Sequence, residues 1–153
     1  MYATTASGLV RAPRSAVYAA LLDPAAVSRW RVPDDMSAEV HEWSAVEGGR
    51  FRVSLAYADA SRSGKTAGNV DTYAGRFVRL VPDEEVVEEL AFESADPALA
   101  GAMTMTWTLA DAAGGTEVTL VHDGVPDAVS AADNETGTRM ALAHLAAYVE
   151  GLV

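Results

Sequence analysis

Glu135 and His122 are the side chains whose type and spacing best suit them to acid–base chemistry in this 153-residue sequence. Glu135 stands one turn before Thr138 on a helical stripe, where it would act as a proton carrier or polar anchor and pair with Arg31 or Arg52. Alternatively it is an exposed first-turn glutamate that serves the helix dipole. His122 shares the parity of Val118 and Leu120, so it is expected to point inward at a strand end. Asp123, its neighbour, points to the opposite face, and the two form no pair by sequence alone. His41 and His144 have no partners at metal-ligand spacing, and His41-Glu42 lacks the second histidine of a zinc-protease helix. No metal site is expected. Ser63-Gly64-Lys65-Thr66 looks like the end of a phosphate-binding loop, but Asp59 occupies the required first glycine and no strand-to-helix context follows. There is no G-x-S-x-G elbow, and the absence of cysteine removes thiolate nucleophiles, disulfides and cysteine metal sites.

The elements that must position these groups fit one domain over residues 1–153, long enough to bury roughly 70% of the unfolded chain's surface. Eleven Lys and Arg stand against 22 Asp and Glu, a formal charge of -11 that repels nucleic acid and anionic membranes. No apolar run approaches the roughly 20 residues of a membrane span. Met1 to Arg11 has no signal-peptide pattern, so a cytoplasmic location is expected.

Pro13 and Ser15 open a short helix over Ala16 to Leu22, which Asp23-Pro24 ends. A second runs from Pro24 to about Trp30. From Ser37 the pattern shifts to period two, with Phe51, Val53, Leu55 and Tyr57 on one face. Asp59 to Gly68 reads as a long, mobile connection. Val70 to Val81, Gly101 to Leu109 and Thr116 to His122 read as strands, the last two joined by a turn at Gly114-Gly115. Glu84 to Ala91 is ambiguous: Val86, Val87, Leu90 and Ala91 have helical spacing with glutamates opposite, while two β-branched valines favour a strand. Ser130 or Asp133 caps a final helix whose stripe is Thr138, Leu142, Leu145, Val149 and Leu152. Short helices, antiparallel strands and one long helix make an α+β layer pair.

The sequence resembles the START-like helix-grip superfamily, and within it the homologues of the activator of heat-shock-protein ATPase. The likeness runs through Ala12-Pro13-Arg14-Ser15-Ala16-Val17-Tyr18, Leu22-Asp23-Pro24, Arg29-Trp30 and Gly48-Gly49-Arg50-Phe51. It continues in Gly75 to Pro82, Gly114 to Leu120, and Glu135-x-Gly137 to Tyr148. The resemblance implies a β-α-α-β6-α helix grip, a curved antiparallel sheet wrapped around a long C-terminal helix with an internal cavity, and makes Glu84 to Phe92 a strand. Two positions depart from the pattern. Arg31 follows Trp30 where many relatives have a second tryptophan, and Thr138 follows Gly137 where many have a cavity-facing one. Both changes enlarge or polarise the cavity.

In such a fold the expected cavity lining is Trp30, Trp43, Phe51, Leu55, Tyr73, Met103, Met105, Trp107, Thr138 and Leu142, the alternative for each being ordinary core packing. The leading expectation is a small hydrophobic or aromatic ligand held without covalent chemistry or cofactor. A second is a polyketide cyclase or dehydratase-like enzyme in the same cavity, with Glu135, His122 or Tyr73 moving protons. A third is a protein-binding module related to chaperone ATPase activators, although the namesake's co-chaperone role depends on an additional N-terminal domain. A homodimer is left open.

Overall fold

The computed structural model describes residues 1–57, 70–94, 96–99 and 101–151. The expected connection from Asp59 to Gly68, the Ser63-Gly64-Lys65-Thr66 motif and Leu152 lie outside the described residues. Alternation of apolar and polar residues produces seven strands among the described residues: β1 (Tyr2–Val10), β2 (Met36–Trp43), β3 (Arg50–Tyr57), β4 (Val70–Val81), β5 (Glu85–Phe92), β6 (Met103–Ala112) and β7 (Gly115–Val125). They form one curved antiparallel sheet in the order β1-β7-β6-β5-β4-β3-β2. The first and second strands are therefore at opposite edges. Two short helices, α1 (Arg14–Leu22) and α2 (Pro24–Trp30), carry the chain between them, α1 touching β5, β6 and β7 on the way. From β2 the chain returns strand by strand to β1. It ends in α3 (Ala131–Val149), which packs on β1 and against both shorter helices.

Local chemistry sets the element ends. Asp23 closes α1 and caps α2 by accepting a 3.0 Å hydrogen bond from the Ala25 amide, with Pro24 preset for the first helical position. Ser130 caps α3, its hydroxyl accepting from the Asp133 amide at 3.3 Å. The C-terminal carbonyls of α1 are satisfied by indoles: Trp30 Nε1 donates to Ala20 O and Trp43 Nε1 to Leu22 O, both at 2.8 Å. Gly114 adopts φ +85° in the turn from β6 to β7, a backbone region that favours glycine.

The segment that periodicity alone left ambiguous is β5. Its inward residues are Val86, Glu88 and Leu90, all buried, so the two-residue period overrides the helical one. Opposite Leu90, Gly75 of β4 lets the strands approach closely; a Cβ there would lie 2.0 Å from the Glu89 carbonyl oxygen. Gly75→Ala is expected to force the strands apart and to lower unfolding free energy by about 1–3 kcal/mol in denaturant titrations. An unchanged midpoint would mean that β4 and β5 are less tightly seated than their register implies.

Between sheet and helices the core is aromatic. Trp30 meets Trp107 edge to face at 5.5 Å between centroids, and Trp43, Phe51 and Phe77 pack within 5.2–5.6 Å of one another. No helix of the described residues is long and apolar enough to cross a membrane.

Candidate functional site

On the concave face the register aligns three polar side chains and one methionine in a row across four strands. Glu88 of β5 is opposite Met105 of β6, Met105 is opposite His122 of β7, and His122 is opposite Thr4 of β1. Directly opposed residues have Cβ atoms about 5 Å apart, so the row is continuous.

Glu88 has 1% side-chain exposure and is neutralised by Arg31, 10% exposed, which caps the C-terminus of α2. Arg31 Nη1 donates to Glu88 Oε2 at 2.8 Å, and Trp107 Nε1 donates to Glu88 Oε1 at 3.0 Å. The other guanidinium nitrogen of Arg31 points at the Met105 sulfur, 3.2 Å away. Its plane is flanked by Tyr73 and Trp107, with ring centroids at 5.6 and 5.8 Å. Burial alone would lower the Arg31 pKa, but the charge and hydrogen bond of Glu88 outweigh it and hold the group above its ordinary value. Burial raises the Tyr73 phenol above its usual range, the Arg31 cation opposing, and its hydroxyl has no hydrogen-bond partner among the described residues.

The other end of the row opens on a cavity of about 540 Å3 between α3 and the sheet. Met103, Met105, Leu120 and Phe92 supply apolar wall, Thr138 closes it from the helix, and Ser130 and Asp133 stand at the exposed start of α3. His122 lines the cavity as well. Its Nδ1 faces Asn134 Nδ2 at 3.0 Å, and its Nε2 is buried without a partner among the described residues. Burial first, then the Arg31 cation, lower its pKa to about 4 against the opposing pull of Glu88 and Asp123. The ring is therefore neutral at pH 7. Among the described residues no group of three or more His, Asp or Glu could hold a metal ion.

A cleft of about 580 Å3 also lies between α2, the start of β2 and α3, lined by Val32, Pro33, Met36 and His144. His144 is occupied there by Asp34 at 2.8 Å. The inner cavity is the better candidate because buried polar atoms converge beside its apolar wall.

Residues 11–150 match the family model described as Activator of Hsp90 ATPase homolog 1-like protein. The chain belongs to this AHSA1-like family. Among solved structures it is similar to protein CV1439 from Chromobacterium violaceum, with 31% identity, 97% of each chain covered and a TM-score of 0.86. Two structures at 20% identity share the fold: a protein from Rhodobacter sphaeroides, covering 99% of this chain and 94% of its own at a TM-score of 0.81, and the AHSA1-like protein from Aeromonas hydrophila, covering 98% and 93% at 0.75. No curated protein matches this chain.

Of the lining expected from sequence, this AHSA1-like chain brings Met103, Met105 and Thr138 together around the cavity. Trp30, Phe51, Tyr73, Trp107 and Leu142 pack into the core, with Trp43 and Leu55 partly buried against it. The expected pairing of Glu135 with Arg31 or Arg52 is corrected by the geometry. Glu135 is exposed and bonds Arg139 at 2.8 Å one turn along α3, while Arg31 holds Glu88 and Arg52 holds Glu93. An ion pair so exposed contributes only a few tenths of a kcal/mol. The side chain of α3 that does turn to the site is Asn134. The sequence reading missed Asn134 and Glu88, although the Val86-Glu88-Leu90 alternation carried the signal for Glu88 once a strand was assumed.

Proposed function

We propose that this AHSA1-like chain binds a small, largely apolar molecule in the cavity between α3 and the concave face of the sheet, without covalent chemistry. The observation that carries this reading is the wall itself: methionine, leucine and phenylalanine around about 540 Å3, with one buried ring nitrogen left unpartnered among the described residues. Pockets of about 300–1,000 Å3 with few convergent polar groups suit drug-sized ligands, and methionines adapt to irregular contents. A thermal-shift screen of aromatic metabolites, fatty acids and polyketide-like compounds, with native mass spectrometry of hits, tests it. A ligand at 100 times its Kd stabilises the folded state by about 2.7 kcal/mol. Thr138→Trp, which fills the cavity from α3, is expected to abolish the shift while leaving the protein folded. A hit retained by Thr138→Trp, or no hit with folded protein, would sink the reading.

A polyketide cyclase or dehydratase-like enzyme is the second reading, favoured by His122. A neutral imidazole facing an apolar cavity beside a buried ion pair is equipped to relay a proton in a bound substrate. Hits from the screen that are converted by the wild type and not by His122→Phe would support this version.

A further inference from the structure

We propose that the cavity selects its ligand by hydrogen-bond direction: it takes an apolar molecule bearing an uncharged carbonyl oxygen, with that oxygen bound by His122 Nε2–H. The inference rests on the ligand-binding reading and names its substrate class.

The direction is set from outside the cavity. The Thr4 hydroxyl on β1 donates to Asn134 Oδ1, and Nδ2 of the same amide meets His122 Nδ1 at 3.0 Å. An amide nitrogen only donates, so Nδ1 must present its lone pair. The single proton of the neutral ring is then on Nε2, which is buried with no partner among the described residues in a ring that lines the cavity. The other polar group deep in the wall, the Thr138 hydroxyl, donates its proton to the Asn134 carbonyl at 2.9 Å. A buried donor without an acceptor is costly, and an acceptor delivered by the ligand relieves that cost. This makes three side chains from three elements, Thr4, Asn134 and His122, a relay that ends in a donor.

Charge decides between a carbonyl and a carboxylate. Arg31, the cation nearest the row, is matched by Glu88 at 2.8 Å, and Asp133 stands at the cavity mouth. The whole chain carries a formal charge of -11. An anion entering here would lose water without gaining a counter-charge.

Three probes with one naphthalene body separate the possibilities by isothermal calorimetry: 2-acetylnaphthalene, 2-ethylnaphthalene and 2-naphthoate. The ketone is expected to bind wild-type protein about tenfold more tightly than the hydrocarbon, in line with one well-made hydrogen bond, and naphthoate more weakly than the ketone. In His122→Phe the ketone should lose its advantage and bind no more tightly than the hydrocarbon does in the same variant. The carbonyl stretch of the bound ketone in wild-type protein should lie below its value in hexane, a reading that holds even if the variant does not fold. Equal affinity for ketone and hydrocarbon, tightest binding of naphthoate, a preference surviving in His122→Phe or an unshifted carbonyl stretch would each overturn the proposal. Binding by none of the three probes, or binding indifferent to Thr138→Trp, would instead remove the cavity reading and this inference with it.

Discussion

Glu88→Ala is expected to lower the unfolding free energy by about 3–5 kcal/mol, a large effect for one substitution on a strand. The carboxylate is nearly inaccessible and accepts from both Arg31 and Trp107, so its removal leaves a buried guanidinium without a counter-charge and an indole N–H without an acceptor. Solvent screening offers little relief, because Arg31 is itself only 10% exposed. Desolvating two charges roughly offsets their mutual attraction, so the loss measures the stranded partner more than the worth of the pair. Arg31→Met with Glu88→Gln together should therefore be milder than either charge removal alone, since glutamine can still accept from Trp107 and methionine fills space beside Met105. Urea unfolding of Arg31→Met, Glu88→Gln and the double variant, set out as a cycle, gives the coupling directly. A Glu88→Ala loss below about 1 kcal/mol would show the pair to be far wetter than its geometry implies.

Most of the fold was legible because it depends on short-range chemistry. Pro24 behind Asp23 marks the junction of α1 and α2, the Met103-Met105-Trp107-Leu109 alternation marks β6, and Gly114 marks the turn that follows. The family resemblance supplied the helix-grip arrangement of these elements and the strand identity of β5, where local signals competed. In β5 the spacing of Val86, Val87 and Leu90 suits a helix, and strand pairing with β4 and β6 decides the matter. The site was less legible, for a reason of the same kind. Around a helix that turns 100° per residue, Asn134 and Glu135 lie about 50° to either side of the Thr138, Leu142 and Leu145 stripe, so periodicity does not choose between them. The choice is made by tertiary packing: α3 lies on β1, and Thr4 of that strand reaches Asn134, leaving Glu135 to solvent and Arg139. The partnership of Arg31 with Glu88 spans 57 residues of sequence and has no local signal at all. The aromatics suit a cavity wall by their flat apolar faces, yet most of them pack against each other in the core, and the methionines and Thr138 face the cavity.

Acid should destabilise the protein through His122 before the carboxylates titrate in bulk. The folded-state pKa of His122 is lowered to about 4 by burial and by Arg31, against an ordinary value of 6.5. As pH falls below 6.5 the unfolded chain takes up a proton that the folded chain refuses, so stability present above that value is lost progressively down to about pH 4, below which the difference is constant. At 1.36 kcal/mol per pKa unit the full span is about 3 kcal/mol, reduced to about 2–3 because the ring retains some access to water. Glu93 has the same sign of dependence in a lower range, since its hydrogen bond from Arg52 holds its carboxyl below the usual value. The quantity to measure is therefore the difference between wild type and His122→Phe in unfolding free energy from pH 7.5 to 4, which cancels every group the two share. The difference should shift in favour of the variant as pH falls through the window, and the His122 ring nitrogens should keep the neutral pattern, with the proton on Nε2, until about pH 4. Parallel stability curves, or a ring that titrates near 6.5, would mean that His122 is hydrated instead of buried, and a hydrated Nε2–H would already have water as its acceptor and no preference to impose on a ligand.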